Sequence, residues 1–292
     1  MYMDISIVIP ALNEAQYLPK LLECLSRQTK QNFEVIVADA GSTDSTREIA
    51  RSYGAKVVEG GMPAVGRNRG AAHAKGDFIF FIDADIQIPD NFIETATEEI
   101  EKRSIDLATA EAYPLSSLTI DKIMHKFANI FIKLYKDSNP RIPGYCILIR
   151  RSIFEKIGGF NETIQVAEDH DLVKRATEFT ELSVLRSTYI KVSVRRFVKE
   201  GRLPYIGKSI QIELYRSFNG EITDDSIEYQ FGNFEENNQA KKAFIKLEKK
   251  INKIDEKLNR QFKRTEANTK RLQKKLVRLG DSLTGLLEQI MR

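Results

Sequence analysis

The sequence has few cysteines and no apolar run long enough for a membrane-spanning helix. Cys24 and Cys146 are its only cysteines, which argues against a disulfide-stapled scaffold and favours a reducing cytosol. No stretch approaches the roughly 18 consecutive apolar residues that a membrane-spanning helix needs. The chain reaches Asp4 just before its first apolar run, so we expect no secretory signal. These features predict a cytoplasmic protein.

The sequence also lacks the features that two classes of protein need, the sugar nucleotidyltransferases and the nucleic-acid-binding proteins. Residues 10–16, which follow the first apolar run, contain no glycine, whereas a sugar nucleotidyltransferase needs a glycine-rich phosphate loop there. Aromatic residues are sparse among the basic residues of the C-terminal region, and no nucleic-acid-binding motif is present. Nucleic acid is therefore not an expected partner.

The charge is unevenly distributed along the chain. Residues 240–292 contain 16 Lys and Arg against 6 Asp and Glu, a local charge of +10. Because the net charge of the whole chain is +4, residues 1–239 carry a charge of −6. Apolar residues recur in this tail every seven positions from Phe244 to Leu286, a pattern typical of an amphipathic helix or coiled coil. We predict a long basic helix that either forms a homo-oligomer or lies peripherally on an anionic membrane surface. Residues 219–239, rich in Asn, Gly, Asp and Glu, are predicted to be a linker.

The rest of the chain predicts an α/β fold. Strand-like apolar runs alternate with helical patterns over residues 1–104, as in a Rossmann-like, mostly parallel sheet with flanking helices. The predicted strands are Ile5–Leu12, Phe33–Asp39, Lys56–Val58 and Phe78–Asp83. Residues 105–218 are less regular. Their predicted elements are strand Ile105–Ala112, helix Ile120–Lys136, strand Tyr145–Ile149, helix Glu168–Phe179, strands Ser183–Leu185 and Ile190–Val194, and helix Pro204–Phe218.

Three polar clusters follow predicted strands: Pro10–Glu14, Asp39–Asp44 and Asp83–Gln87. Ligands of such sheets gather at the carboxyl ends of the strands, so we expect these clusters to meet. The most informative is Asp83-Ala84-Asp85, because two carboxylates one residue apart can hold a hard divalent cation and leave room for diphosphate oxygens. The alternative for this short pattern alone is a solvated turn.

Four motifs in order carry a resemblance to a known family. They are Val8-Ile9-Pro10-Ala11-Leu12-Asn13-Glu14, Asp39-Ala40-Gly41-Ser42-Thr43-Asp44, Gly66-Arg67-Asn68-Arg69-Gly70 and Asp83-Ala84-Asp85. Together they resemble the non-processive enzymes of glycosyltransferase family 2, closely over residues 5–92 and more loosely to about 205. The resemblance implies a GT-A domain over residues 1–218, with a nucleotide-sugar-binding half at 1–104 and an acceptor-binding half at 105–218. The processive pattern with a terminal tryptophan cannot occur, because the chain has no Trp.

The resemblance implies a binding site for a UDP- or GDP-sugar donor. Its residues would be Pro10, Ala11, Asn13, Glu14, Asp39, Gly41, Ser42, Arg67, Asn68, Asp83, Ala84 and Asp85. Glu14 would lie near the ribose, and Asp39 would accept a hydrogen bond from the base. Arg67 and Asn68 would support the base and phosphate region. For Asn13 and Ser42, turn or cap chemistry explains the residue type equally well.

The implied cofactor is Mg²⁺ or Mn²⁺. Asp85 would be its principal ligand and Asp83 would approach both the metal and the ribose. Gln87 completes a pattern similar to the metal motif of dolichyl-phosphate mannose synthases, where the glutamine helps to ligate the cation. A polar loop residue remains the alternative for Gln87.

Glu168 and Asp169 precede an apolar helix, as does the acidic pair that supplies the base in non-processive family members. Asp169 is the predicted base, which removes the proton of an acceptor hydroxyl as the hydroxyl attacks the anomeric carbon. A single displacement with one base implies inversion at that carbon. The alternative is that both acids only favour the helix dipole. His170 is expected to be a structural or solvated side chain and not a ligand, and no histidine follows it, so the late metal-binding histidine of some GT-A enzymes is missing.

The acceptor has two interpretations. The acidic pair favours a hydroxyl on a glycan or lipid-linked glycan, whereas the Gln87 match favours a polyprenyl or dolichyl phosphate, whose anionic oxygen needs no base. Gly144 lies in a segment that resembles the acceptor region of the family, and Arg195 and Arg196 could bind a diphosphate or lipid phosphate. A non-catalytic scaffold would be expected to lack Asp85 or Asp169, and both are present.

Overall fold

The computed structural model describes residues 4–202, 204, 205, 209, 212, 216 and 221–223. Its elements begin with β1 (Ile5–Ala11), α1 (Leu18–Ser26), β2 (Phe33–Asp39), α2 (Thr46–Ser52), β3 (Lys56–Glu59), α3 (Pro63–Ala71), β4 (Phe78–Ile82), β5 (Ile86–Gln87) and α4 (Phe92–Arg103). They continue with β6 (Leu107–Pro114), α5 (Thr119–Tyr135), β7 (Cys146–Arg150), α6 (Arg151–Lys156), α7 (Glu168–Ala176), β8 (Leu182–Val192) and α8 (Arg195–Glu200). The predicted tail over 240–292, and all of the predicted linker except 221–223, lie outside the described residues.

One mixed sheet organises the described part of the chain. Its strand order is β3-β2-β1-β4-β7-β6-β8-β5. The first four strands in this order are mutually parallel, whereas β7 is antiparallel to both of its neighbours, β4 and β6. The predicted α/β fold with a mixed sheet and flanking helices is confirmed. No helix in the described ranges is long and apolar enough to cross a membrane.

The central strands form the core because they are apolar on both faces. Every residue of β1 and of β4 is buried, as expected for parallel strands that helices cover on each side. Phe78, Phe80 and Ile82 belong to one core cluster, and Ile79 and Phe81 to the other. This rigid centre fixes the loops that leave the carboxyl ends of β1, β2 and β4.

The predicted break between strands Ser183–Leu185 and Ile190–Val194 is wrong. The structure has one strand, β8, whose register against β6 shifts between Ala110 and Glu111. At this irregularity the Glu99 carboxylate accepts the backbone N–H groups of Arg186 and Ser187 at 2.8–3.1 Å. The Glu99 side chain of α4 therefore satisfies the backbone N–H groups of the segment between the two predicted strands.

Three short elements were not expected from the sequence: β5, α6 and α8. Each has only two or six residues, too few to show a hydrophobic period. The described residues of the predicted helix Pro204–Phe218, which are 204, 205, 209, 212 and 216, are helical.

Candidate functional site

In the carboxylate of Asp39, at the end of β2, only one of the two oxygens has a hydrogen-bond partner among the described residues. Asp39 ends β2, and its Oδ2 atom accepts the backbone N–H groups of Gly41 at 3.2 Å and Ser42 at 3.0 Å. Gly41 takes a positive φ of 85°, which a residue with a Cβ adopts only with strain. The Oδ1 atom of Asp39 is buried and has no hydrogen-bond partner among the described residues. Because such an atom is costly to leave unpaired, Asp39 is poised to accept a hydrogen bond from a ligand.

Asn13 and Ser42 join the loops after β1 and β2. The Asn13 N–H donates to Ser42 Oγ at 2.9 Å, and Thr43 donates its own N–H to Asn13 Oδ1 at 2.9 Å. Asn13 has a φ of 55°, which asparagine tolerates better than most residues. The turn chemistry considered for these two residues is therefore present, and their contact with a nucleotide stays a prediction.

Arg195 connects the first loop with the Asp83-Ala84-Asp85 motif. Its Nη1 and Nη2 atoms each donate to a carboxylate oxygen of Glu14 at 2.7 Å, and its Nε atom lies 2.8 Å from Asp85 Oδ2. The guanidinium also stacks over the Tyr17 ring, 4.5 Å from the centroid. Burial raises the pKa of Glu14 and of Asp85, while the charge of Arg195 opposes both shifts.

Arg195 contacts two carboxylates in this structure, and its contact with a phosphate stays a prediction. The charge of the next residue, Arg196, also lowers the pKa of Asp85, and the contact of Arg196 with a phosphate stays a prediction. The sequence suggested this pair from its charge alone, and a separation of 181 residues hides the link between Arg195 and Glu14.

Arg67 connects the same motif with the acidic pair. It is buried on α3, and its Nη2 atom donates to Asp83 Oδ1 at 2.9 Å and to the carbonyl of Gly144 at 3.2 Å. Its Nη1 atom donates to Glu168 Oε1 at 2.6 Å. One guanidinium therefore fixes a carboxylate from the strand end and another from the start of α7. Base or phosphate support by Arg67 stays a prediction.

Asn68, the next residue, forms hydrogen bonds with the turn that follows α6. Its Oδ1 atom accepts the N–H of Phe160 at 2.8 Å, and its Nδ2 atom donates to the Phe160 carbonyl at 2.8 Å and to Glu162 at 2.9 Å. These bonds use both amide hydrogens. In this structure Asn68 supports the scaffold, and its contact with a donor stays a prediction.

The acidic pair begins α7. Asp169 Oδ1 accepts the N–H of His170 at 2.8 Å, and the backbone of Gly144 lies close enough to the carboxylate to lower its pKa. Burial raises the pKa of Asp169, against the opposing charge of Arg67. Burial and the Asp169 charge raise the pKa of Glu168, which Arg67 opposes directly through its ion pair. A carboxylate with a raised pKa is the more effective proton acceptor near neutral pH.

Gly144 lies where the Arg67 and Asp169 side chains converge. A Cβ placed there would be 2.9 Å from Arg67 Nη2 and 3.1 Å from Asp169 Oδ2. We expect Gly144→Ala to lower turnover about tenfold or more while the protein stays folded, because both charged groups must shift. Steady-state kinetics beside a thermal melt checks this. Gly158→Ala is the control for loss of stability alone, since its Cβ would meet nothing within 4 Å while its φ of 74° strains any residue other than glycine. We expect this control to melt at a lower temperature with its turnover kept, and an equal loss of turnover in it would contradict the argument.

His170 is paired with an arginine. Its Nδ1 atom lies 2.8 Å from Arg216 Nη1, and burial together with the charges of Arg216 and Arg141 lowers its pKa to about 3. A pKa this low makes the ring a weak proton acceptor near neutral pH, so His170 is no candidate for the base.

The remaining predicted residues line the same edge. Pro10 and Ala11 end β1 and are buried, and Ala84 is buried between the two aspartates. Gln87 lies on β5, opposite Lys191 of β8. Over the described ranges, no group of three or more His, Cys, Asp or Glu side chains is placed to hold a metal ion. Protein ligands for a cation would thus be the two carboxylates, with Gln87 as the predicted third.

Comparison with known sequences gives a family. The sequence model of glycosyl transferase family 2 matches residues 6–158, more than half of the chain. Glycosyltransferase GlyG of Streptococcus pneumoniae is 32% identical over 117 residues, which cover 37% of this chain and 39% of GlyG. The poly(ribitol-phosphate) beta-N-acetylglucosaminyltransferase TarS of Staphylococcus aureus is 25% identical over 243 residues, 77% of this chain and 42% of TarS. The matches span 39% to 61% of the lengths of the first four curated relatives.

Comparison with solved structures gives the fold. The crystal structure of S. aureus TarS 1–349 in complex with UDP-GlcNAc has a TM-score of 0.54 at 20% identity, over 74% of this chain and 73% of that one. The mannosyltransferase PcManGT from Pyrobaculum calidifontis, in complex with GDP-Man and Mn²⁺, has a TM-score of 0.57 at 19% identity, over 72% and 65%. With a family model matched over more than half of its length and this fold, the chain belongs to glycosyl transferase family 2 and carries a glycosyltransferase domain of the GT-A type.

Proposed function

We propose that this chain transfers a sugar, with inversion, from a nucleotide diphosphate sugar to an acceptor hydroxyl. The observation that carries the proposal is the buried, unpartnered Oδ1 atom of Asp39, at the edge where Asp83 and Asp85 also lie. A ring N–H of a nucleoside base would satisfy that atom. The TarS and PcManGT structures contain UDP-GlcNAc and GDP-Man, which are donors of this class.

The carboxylates suit a divalent cation that the donor helps to ligate. Mg²⁺ is held in many enzymes by one or two carboxylates together with substrate phosphates and water, and Asp83 with Asp85 offers this set. A bound cation would stabilise the negative charge of the departing nucleoside diphosphate. Arg195, 2.8 Å from Asp85, would share this carboxylate or move towards the diphosphate, with which a guanidinium forms strong paired hydrogen bonds.

The acceptor side supplies the base. Asp169 would take the proton of the attacking hydroxyl, and its raised pKa suits that task. Arg67 engages Glu168 in an ion pair, so Asp169 is the member of the acidic pair that we assign to accept the proton. The backbone of Gly144 lies beside the Asp169 carboxylate and lowers its pKa, against the effect of burial.

A polyprenyl phosphate is the second candidate acceptor. Gln87 in the sequence Asp83-Ala84-Asp85-Ile86-Gln87 favours it, because the pattern is similar to that of dolichyl-phosphate mannose synthases. Such an acceptor is already anionic and would not need Asp169 as a base. Replacement of Asp169 therefore separates the two acceptor classes.

Asp39→Ala tests the donor site directly. We expect the variant to bind its nucleotide about 10- to 100-fold more weakly, because a buried hydrogen bond to a carboxylate is worth roughly 1.5–3 kcal/mol. Calorimetric titration with UDP and GDP, in the presence of Mn²⁺, measures the effect. Asp44→Ala, which removes a carboxylate bonded to Ala15 and Thr46, is the matched control for loop disturbance. Equal affinities of wild type and Asp39→Ala for every nucleotide would contradict the proposed base contact.

A further inference from the structure

Helix α5 is oriented with its polar side inward and its apolar side outward. The four residues that it buries are Asp121, His125, Asn129 and Ile132. Its exposed face carries five of the ten exposed large hydrophobic residues found among the described residues: Phe127, Ile130, Phe131, Leu134 and Tyr135. Surface helices of globular proteins ordinarily show the reverse arrangement.

Specific bonds hold the buried face in this orientation. Asp121 is fully buried and accepts two hydrogen bonds from Arg202, at 2.6 and 2.8 Å, and one from Ser116 at 2.7 Å. Asn129 exchanges two hydrogen bonds of 3.0 Å with the backbone of Ala112 on β6. Rotation of α5 to bury its apolar face would leave these polar groups unpaired at high cost. The outward direction of the apolar face is therefore built into the fold.

The apolar face forms one contiguous patch. At 100° per residue, the five exposed residues fall within one arc of the helix, and the less exposed Ile120, Ile123 and Met124 lie in the same arc. Leu134 is 70% exposed and Phe127 is 58% exposed. Single exposed hydrophobics are normal, but a contiguous patch of this kind marks a surface that contacts something apolar.

The lysines beside the apolar patch of α5 indicate which kind of surface it contacts. Lys122, Lys126 and Lys133 flank the apolar arc on one side and are exposed, and Lys133 is paired with Glu111. Within α5 the one acidic residue, Asp121, is buried. A second copy of the helix packed antiparallel on this face would bring lysine against lysine, and residues 240–292 carry +10 of their own. An anionic lipid surface matches both the apolar arc and the lysines.

We propose that α5 lies in the interface of an anionic membrane, with Phe127, Ile130, Phe131 and Leu134 among the acyl chains and the lysines at the phosphates. The buried face of α5 contacts α8 and the residues just after it. Asp121 bonds to Arg202, which lies two positions after the end of α8. The His125 ring packs on Phe197 of α8, at 5.7 Å between centroids, and α8 begins with Arg195 of the candidate site. Membrane contact through α5 does not depend on which donor the enzyme uses.

The test places a fluorophore on the patch of the full-length chain. Leu134→Cys is labelled with an environment-sensitive dye, since the native Cys24 and Cys146 are buried. Tyr53→Cys, 45% exposed near the β3 edge of the sheet, is the matched control. Both proteins are mixed with phosphatidylcholine vesicles that do or do not contain phosphatidylglycerol, with brominated acyl chains as quenchers. We expect quenching at position 134 only, and only with phosphatidylglycerol.

A second variant removes the apolar contact without a probe. Phe127→Ser combined with Leu134→Ser is expected to weaken vesicle binding about tenfold or more, whereas Tyr53→Ser leaves it unchanged; circular dichroism checks the fold. Vesicle binding without quenching at 134 would assign the contact to another segment and overturn the proposal. An apolar environment of the 134 dye before vesicles are added would show that protein covers α5, with the same consequence.

Discussion

Asp85→Ala is expected to lower sugar transfer by about 10³-fold, the scale on which removal of a group that stabilises developing negative charge acts. Asp85 would be the principal metal ligand, and its loss also frees one side of Arg195, which keeps its two bonds to Glu14. Transfer rates, and binding of Mn²⁺ in the presence of nucleoside diphosphate, measure the two consequences separately. We expect both to fall.

The control for this variant is Asp90→Ala. Asp90 lies five positions later, and its exposed side chain forms an exposed ion pair with Arg27, a kind of pair that contributes little. Its replacement should leave transfer and Mn²⁺ binding unchanged. If Asp85→Ala kept wild-type turnover, the cation would have to be held elsewhere, and the metal assignment would be wrong.

Asp169→Asn is expected to lower transfer by about 10²- to 10⁴-fold, the usual contribution of a general base, while nucleotide affinity stays within about twofold. The asparagine keeps the shape of the side chain and the bond from His170 but cannot accept a proton. Presteady-state transfer together with nucleotide titration separates the two effects. Asp171→Asn, which changes a carboxylate on the same helix that pairs with Arg175, should have little effect.

The pH profile adds a direction to this prediction. Because burial raises the pKa of Asp169, the wild-type rate should fall with decreasing pH at values above the ordinary range for aspartate. The part of the acid limb that is due to Asp169 should be absent from the residual activity of Asp169→Asn. Full transfer by this variant would instead favour a polyprenyl phosphate acceptor, which needs no base.

The sequence predicted the elements of residues 1–104 well because they follow simple patterns. Strand β2 was predicted with its observed bounds, and the three polar clusters lie at the carboxyl ends of β1, β2 and β4 as expected. Buried apolar strands end where polar residues begin, so the positions of Asp39 and Asp83 follow from local sequence. The half-satisfied Asp39 carboxylate is the one detail of this loop that needed coordinates.

Contacts between distant residues were not predictable in the same way. Arg67 meets Glu168 across 101 residues, and no local pattern shows that its guanidinium also reaches Asp83. The orientation of α5 was equally hidden. Its amphipathic period was evident, but the side that faces inward is decided by the Arg202 partner of Asp121, which tertiary structure alone brings into place.

The most direct test of the donor assignment is turnover of a panel of UDP- and GDP-sugars by the full-length chain with Mg²⁺ or Mn²⁺. Slow hydrolysis of the donor in the absence of an acceptor suffices as a readout, so the acceptor need not be known. We predict that at least one sugar nucleotide is cleaved, that EDTA abolishes the cleavage, and that added cation restores it. If no sugar nucleotide were bound or cleaved with either cation, the proposed transferase activity would be contradicted.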